Sequence, residues 1–382
     1  MSDRAKTILF ALVLGATTFL LGEIALRSVQ YVVSGVPPLS LLPGYRERRF
    51  PLSPFLVFGP RIDWQIPGKP NPDTAYFNRQ GFRTREEIGP KPAGETRIIA
   101  LGGSTTEEIW NEDGLHWPLW TERTLGKNAR PVRVYNSGMS AYTTAHTLVR
   151  LAFDVLDYAP DIVLVMHNIN DLTVNYRAAV AGREVDGHYQ AVFSDKAFTS
   201  DLEERDIVLS RLWRGVSARL KGRPADIVVP ADYDISRGLE FFRRNLRSIQ
   251  ALASARGVRL VLLTMPVCNS SDVYATVLGT GHRGLSPPLP ESFDRFLREF
   301  EIYNQAIRDV GHELDVPVMD MNRLMGGDAR WFADVVHYNA AGSQRFGELL
   351  ATELLSGNLL DRQGFDEGRL PQAAGKADGS QR

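Results

Sequence analysis

The sequence has little sulfur and no excess charge of either sign. Cys268 is the only cysteine among 382 residues, so the chain cannot form an internal disulfide and has no second sulfur for a structural zinc site. The 44 Lys and Arg residues balance 45 Asp and Glu residues, which leaves a formal net charge of -1. Without a strong positive field we expect no nucleic-acid partner. Since 43% of the residues are apolar and 23% are charged, the chain is predicted to fold.

Long hydrophobic runs are absent except at the amino terminus. There, Arg4 and Lys6 precede the uncharged residues 7–22, and Glu23 closes the run. Positive charge ahead of an apolar segment is typical of an export signal whose basic end stays in the cytoplasm. Because no small-x-small cleavage site follows, residues 1–33 are predicted to be an uncleaved membrane anchor. A removed signal peptide and the core helix of a soluble protein are the alternatives.

The rest of the chain divides by composition. Residues 34–94 are rich in Pro and Gly and are predicted to form a linker and lead-in. Residues 95–358 alternate β-branched apolar runs with segments of helical period, which predicts one α/β domain with an insertion at 173–233. Residues 359–382 are polar and small, and we expect them to be disordered. Placing the anchor in the cytoplasmic membrane would put this domain on its extracytoplasmic side.

Five apolar runs in the domain are candidates for strands buried on both faces. They predict a three-layer α/β/α sandwich with a central, mostly parallel, five-stranded sheet. Helical patterns at 143–158, 237–256 and 292–314, and a last helix from about Asn339, would cover it. The runs are residues 97–101, 132–136, 161–166, 258–265 and 316–321.

Two short motifs at opposite ends of the domain carry the chemistry. Ser104 follows two glycines at the end of the first strand, in a turn that has neither the Gly-Lys-Ser/Thr of a phosphate loop nor the G-x-G-x-x-G of a dinucleotide site. Asp334 stands three residues ahead of His337, so its carboxylate can turn back to the imidazole Nδ1. A serine needs such a base to become a nucleophile. We therefore predict Ser104, Asp334 and His337 as a catalytic triad.

From residue 78 to residue 355 the chain resembles the SGNH hydrolases, also called GDSL esterases and lipases. This family carries four short blocks around Ser, Gly, Asn and His, and each has a counterpart here in the same order. Residues 78–83, NRQGFR, also resemble the lead-in of membrane-anchored bacterial members. The four blocks are IALGGST at 99–105, YNSGMS at 135–140, NIND at 168–171 and DVVH at 334–337.

The resemblance implies a flavodoxin-like fold and an oxyanion hole. Its donors would be the backbone N–H groups of Ser104 and Gly138 and the side-chain amide of Asn170. Asp171 would brace the loop that carries Asn170, and His167, at the end of the third strand, is a possible substrate contact.

Two residues depart from the family pattern, namely Gly103 where many relatives have Asp and Asn168 where Gly is usual. Asn tolerates the left-handed backbone region better than most residues do, so the second change is compatible with the same loop. Neither departure removes a catalytic atom.

The expected function is a serine esterase that removes an acyl group, acetyl in the first place, through an acyl-serine intermediate. Neither a cofactor nor a metal ion is predicted, and the expected partners are an acylated carbohydrate or other small ester and, through the anchor, a membrane. One alternative is an O-acetyltransferase with the same triad. The other is a carbohydrate-binding or assembly protein that retains the fold without turnover.

Overall fold

A computed structural model describes residues 2–34, 52–53, 57–58, 77–84, 86–108, 111, 115–127, 131–187, 228–281 and 288–361. The predictions for most of the linker, for residues 188–227 of the insertion and for the tail from residue 362 lie outside these residues. Within them a parallel sheet flanked by helices confirms the predicted fold class. The structure also contains an antiparallel pair, β1 (Leu52–Ser53) and β2 (Val57–Phe58).

Five strands form the parallel sheet in the described part of the domain, in the order β4-β3-β5-β6-β7. The chain leaves β3 toward β4 on one side and then crosses back to β5 on the other. Ligands of open α/β sheets bind outside the carboxyl ends of the strands at such a reversal. The strands are β3 (Thr96–Gly102), β4 (Val132–Asn136), β5 (Ile162–Met166), β6 (Arg259–Leu263) and β7 (Val318–Met319).

The last strand is shorter than the predicted run at 316–321. Val316 N–H donates to the carbonyl of Gly311 in the preceding helix, and the carboxylate of Asp320 already accepts the N–H of Arg323 as the cap of the next helix. The residues at both ends of the run therefore form hydrogen bonds with the neighbouring helices instead of extending the strand.

The helices fall into two groups that contact each other little. Helix α3 packs on α10, while α4, α5 and α8 pack on α6. The predicted helices at 237–256 and 292–314 are confirmed as α6 and α8, and Gly257 follows α6 with a φ of 64°. The helices are α1 (Asp3–Ser34), α2 (Ser104–Glu107), α3 (Trp117–Gly126), α4 (Thr144–Phe153), α5 (Ile169–Val180), α6 (Ser236–Ala255), α7 (Ser271–Gly281), α8 (Phe293–Glu313), α9 (Met321–Met325) and α10 (Ala340–Ser356).

The lead-in packs into the domain. Phe82 and Ile88 belong to the hydrophobic core, and the guanidinium of Arg83 donates to the carbonyl oxygens of Glu107 and Asn111 at 2.7 and 2.6 Å. The Asn78 carboxamide closes the turn by accepting the Phe82 N–H at 3.0 Å. The packed unit thus includes residues from 77 onward, upstream of the boundary predicted at residue 95.

The region after the third sheet strand differs from the expected insertion. Helix α5 begins at Ile169, directly after β5, and continues to Val180. The insertion was predicted to begin at Thr173, but this residue lies inside that helix, where residues 172–176 and 178–179 are buried against the domain.

Helix α1 is long and apolar at its amino-terminal end. Its stretch Asp3–Ala25 has a mean hydropathy of 2.1 and is 6% buried. Because the apolar side chains are exposed, the stretch is unlike the core helix of a soluble protein. By length and composition it fits a membrane span or a signal sequence.

Candidate active site

Ser104 stands at the carboxyl edge of the sheet, where the chain reverses its direction of strand addition. It is the first residue of α2, directly after β3 and Gly103. Its backbone N–H lies at the start of the helix, where no intrahelical acceptor exists, and it has no hydrogen-bond acceptor among the described residues. Its side chain is partly exposed.

The three residues predicted as a triad lie in one hydrogen-bonded chain. The distance from Ser104 Oγ to His337 Nε2 is 2.7 Å, and that from His337 Nδ1 to Asp334 Oδ2 is also 2.7 Å. A carboxylate on Nδ1 fixes the tautomer in which Nδ1 carries the proton, so Nε2 is free to accept the serine proton. The imidazole is 21% exposed, which leaves it accessible from solvent.

Asp334 is held as an anion. Burial by itself would raise its pKa, but hydrogen bonds from the His337 ring and backbone and from the Val336 N–H outweigh burial and hold the pKa below the ordinary 3.8. The two backbone donors reach Asp334 Oδ1 at 2.8 and 2.9 Å and leave Oδ2 for the ring. The carboxylate is therefore charged at neutral pH and fixed toward the imidazole.

A tight hairpin carries both Asp334 and His337. Phe332 and Tyr338 pair as an antiparallel bridge at its base, and the Ala333 N–H donates to the His337 carbonyl at 2.7 Å. Just beyond, Asn339 caps α10 by accepting the Gly342 N–H at 2.9 Å. The hairpin is thereby anchored to the last helix of the domain.

Asn170 lies beside the serine, in the first turn of α5. Its Nδ2 donates to the Tyr142 carbonyl at 2.8 Å, and since an amide nitrogen carries two hydrogens, a second one is available for an oxyanion. A Cβ built on Gly103 would come within 2.4 Å of this nitrogen. Glycine at 103, one of the two departures from the family pattern, leaves room for the Asn170 amide at its distance in this structure, and a larger residue would require the amide or the turn to shift.

Gly138 does not present a free donor. Its N–H donates to Asn136 Oδ1 at 2.9 Å, and a Cβ on Gly138 would lie 2.3 Å from the Glu107 backbone nitrogen. This glycine permits close packing against the nucleophile helix. The prediction of Gly138 as an oxyanion donor is corrected for that reason.

Ala141, three residues later in the same loop, is a candidate for the donor that Gly138 lacks. It is exposed, has a φ of 64°, and its N–H has no hydrogen-bond acceptor among the described residues. Sequence reasoning missed it because a left-handed conformation is common for glycine and rare for alanine. The sequence could have indicated Ala141 only by its position at the end of the turn before helix α4.

Asp171 braces the site, although not as a loop residue. It is fully buried in α5, and its Oδ1 accepts from the Thr144 hydroxyl at 2.6 Å while both oxygens accept the Thr144 N–H. Asn245 of α6 donates to the same hydroxyl at 2.9 Å. Asp171 thus joins the helix that carries Asn170 to the start of α4.

His167 lies below the site rather than in it. It is 1% exposed, and its Nε2 is 2.7 Å from the Thr147 hydroxyl. Burial lowers its pKa to about 3, so it is neutral at physiological pH. Its burial argues against the predicted substrate contact.

Asn168 also has a role in packing. Its φ of -171° is extended backbone, so the left-handed conformation considered for it does not occur. Its Nδ2 donates to the carbonyl of Phe300 and to Asn304 Oδ1 in α8, at 2.9 and 3.0 Å.

The parallel sheet, with a serine, a histidine and an aspartate in hydrogen-bonded order at its carboxyl edge, has the arrangement found in serine hydrolases. A model of the GDSL-like Lipase/Acylhydrolase family matches residues 100–345, more than half of the chain. The chain therefore belongs to this family, which comprises the SGNH hydrolases that its four blocks resemble, and it is an ester-bond hydrolase.

Several solved structures are similar to parts of the chain. A lipase/acylhydrolase from Enterococcus faecalis is 19% identical, with 68% of this chain and 96% of that chain covered and a TM-score of 0.39. Axe2, an acetylxylan esterase from Geobacillus stearothermophilus, is 15% identical, with 70% and 96% covered and a TM-score of 0.41. No protein of curated function matches the sequence.

Proposed function

We propose that the chain is a serine esterase with Ser104 as nucleophile, His337 as general base and acid, and Asp334 as the residue that orients His337. The observation that carries this proposal is the pair of 2.7 Å contacts from Ser104 Oγ through the imidazole to Asp334 Oδ2. The family assignment supports ester chemistry independently of these distances.

In the proposed reaction Ser104 Oγ attacks the ester carbonyl carbon while His337 Nε2 takes the hydroxyl proton. The carbonyl oxygen becomes an oxyanion, which accepts from the backbone N–H groups of Ser104 and Ala141 and from Asn170 Nδ2. Collapse breaks the bond to the alcohol, which leaves with the proton from His337. A water molecule then attacks the acyl-serine with His337 as base, and Ser104 regains its proton as the acid is released.

We propose as substrate a short acyl ester, acetyl in the first place, on an envelope or exported polysaccharide. The exposed apolar stretch of α1 supports this choice because, as an anchor, it would hold the domain outside the cytoplasmic membrane, where such polymers occur. An O-acetyltransferase would use the same residues but pass the acyl group to a sugar hydroxyl instead of water. A non-catalytic binding protein with this fold is disfavoured by the intact hydrogen-bonded chain.

The test begins with purified protein and a short-chain aryl ester, followed by acetylated polysaccharide, and then by bare polysaccharide with an acetyl donor. Release of acetate from the acetylated polymer supports the esterase, whereas transfer to the bare polymer supports the acetyltransferase. A fluorophosphonate should label Ser104 in the wild type and leave Ser104→Ala unlabelled. Full turnover in Ser104→Ala would overturn the proposal.

Replacing the proposed triad residues singly or together should reduce turnover to a similar extent. Ser104→Ala and His337→Ala should each remove nearly all turnover, and the double variant should be little worse than either one, because serine and base act in the same step. Asn170→Ala should reduce kcat by roughly 100- to 1000-fold, the usual loss for one oxyanion donor. Additive losses for serine and histidine would contradict a shared step.

The proposed topology has its own test. A reporter enzyme fused after Ser34 should be active only outside the cytoplasm, and the whole protein should leave the membrane fraction only with detergent. Release by alkaline carbonate would favour a cleaved signal, and a cytoplasmic reporter signal would contradict export.

A further inference from the structure

Glu107 is a fully buried glutamate at the end of the nucleophile helix, three residues after Ser104. Its carboxylate reaches across to the loop that follows β4. There Glu107 Oε2 accepts the Ser140 N–H at 2.6 Å and also accepts from the Ser140 hydroxyl. One carboxylate oxygen thus holds both the backbone and the side chain of the same residue.

Ser140 directly precedes Ala141, whose N–H is the proposed oxyanion donor. The bonds from Glu107 hold the N–H and the side chain of Ser140, and the N–H of Ala141 belongs to the planar peptide that leaves Ser140, so these bonds limit how far that peptide can move. Ala141 also holds a φ of 64°, a conformation that costs an L-residue roughly 1 to 2 kcal/mol and needs support from its surroundings. The bonds to Glu107 supply such support on the amino side.

The backbone of Glu107 is itself fixed from the opposite side. Arg83 of the lead-in donates to the Glu107 carbonyl at 2.7 Å, and Asn136 Nδ2 donates to the Thr106 carbonyl at 2.7 Å. Asn136 Oδ1 in turn accepts the Gly138 N–H. The last turn of the nucleophile helix and the loop with Ala141 are therefore joined by side chains at several points, and Glu107 supplies the bond nearest to Ala141.

We propose that Glu107 is a positioning residue for the oxyanion hole: its carboxylate holds Ser140 so that the Ala141 N–H points toward the oxygen of a substrate bound at Ser104. This role rests on the proposed function, because an oxyanion forms only if Ser104 attacks an ester. In this role Glu107 would stabilise the transition state through Ser140 and Ala141, without touching the substrate.

The sharpest variant is Glu107→Gln, which keeps the size of the side chain and replaces its carboxyl group by an amide. An amide has one oxygen that accepts hydrogen bonds and an NH₂ group that only donates, so it should hold Ser140 less firmly. We expect kcat to fall by about tenfold, less than the ~100- to 1000-fold that follows loss of a whole oxyanion donor, with KM unchanged. Affinity for a tetrahedral boronic acid should fall by a similar factor.

Ser140→Ala provides a second, milder variant in case Glu107→Gln does not fold. It removes the hydroxyl contact and keeps the N–H donor, so kcat should fall by a few-fold with KM unchanged. Glu122→Gln is the matched control. Glu122 also accepts a backbone N–H, that of Val134 at 2.7 Å, but it lies on α3 away from the loop, and its kinetics should equal those of the wild type.

The experiment measures kcat, KM, boronic acid affinity and thermal stability for wild type, Ser104→Ala, Glu122→Gln, Ser140→Ala and Glu107→Gln. A loss confined to kcat and boronic acid affinity supports positioning. Wild-type kcat in the Glu107 and Ser140 variants, or a loss that follows reduced folded fraction alone, overturns it while the esterase proposal stands. If wild-type turnover does not depend on Ser104, the proposed function fails, and the role of Glu107 fails with it.

Discussion

Replacing Glu108 by glutamine should make the protein more stable at high pH and leave its stability nearly unchanged at low pH. Glu108 is buried, and its Oε2 accepts from the Ser343 hydroxyl at 2.5 Å and from the Trp117 N–H at 2.8 Å. Burial raises its pKa from 4.5 to about 7, and the hydrogen bonds only partly oppose that rise. A glutamine resembles the protonated acid, because its oxygen accepts the same bonds and its NH₂ replaces the acid proton.

The direction of this pH dependence follows from which state, folded or unfolded, binds the Glu108 proton more tightly. Because the folded-state pKa lies above the unfolded value, the folded protein binds the proton more tightly, and this contribution to stability is lost as pH rises from 4.5 through 7. At about 1.4 kcal/mol per pH unit, the shift corresponds to roughly 3 kcal/mol across that window. Between pH 5 and pH 8 the stability of Glu108→Gln relative to wild type should therefore rise by roughly 2 to 3 kcal/mol.

The assay is denaturant unfolding of wild type and variant at pH 5 and pH 8. Comparing the two proteins at each pH cancels the titration of every other group. Glu240→Gln, at an exposed position of α6, is the control and should follow the wild-type pH dependence. A variant whose relative stability is the same at both pH values, or lower at pH 8, would show that Glu108 is charged in the fold and would refute the reasoning.

Three further perturbations test other parts of the structure. Gly138→Ala should reduce both stability and turnover, as seen by thermal melting and ester assay, because the new Cβ would lie 2.3 Å from the Glu107 backbone nitrogen; an unperturbed variant would contradict that packing. His146→Gln keeps the capping box with Thr143 but removes a histidine whose pKa burial lowers to about 4, so unfolding free energy should fall less between pH 6.5 and pH 4 than in wild type. If the unfolding free energy of the variant falls as much as that of wild type between these pH values, this role of His146 is contradicted. A chain that begins at residue 95 lacks core residue Phe82 and should fail to give a cooperative unfolding transition by circular dichroism, whereas one that begins at residue 77 should give one.

The fold was predictable because the central strands of the sheet are buried on both faces. Such a parallel strand needs a continuous apolar run, and the run at 161–166 coincides closely with the fully buried β5. The segment at 132–136 coincides with the edge strand β4, in which buried and half-buried residues alternate. The run at 316–321 led to too long a prediction for β7, because apolar residues indicate burial but do not show which backbone groups form sheet hydrogen bonds. The same limit applies after β5, where polar residues such as Asn170 and Asp171 resembled a loop and instead begin a helix.

The candidate site was predictable where side-chain chemistry defines it and less so where backbone geometry does. Ser104, Asp334 and His337 were identified by type and order, and the structure brings them within hydrogen-bond distance. The oxyanion donors depend on which backbone N–H groups have no hydrogen-bond acceptor. The amino-acid type at a position does not determine this. For that reason the sequence suggested Gly138 for a role that we propose for Ala141, because the Gly138 N–H already donates to Asn136 Oδ1.

Ser104 and His337, the proposed nucleophile and base, lie 233 residues apart in sequence. Ser104 follows an early strand of the sheet, whereas Asp334 and His337 sit on the hairpin that α10 anchors at the end of the domain. A chain still being synthesised has its serine in place long before the histidine exists. On the proposed mechanism, ester turnover then requires the hairpin before the last helix, so a nascent chain without this hairpin has no base for Ser104 and is inactive.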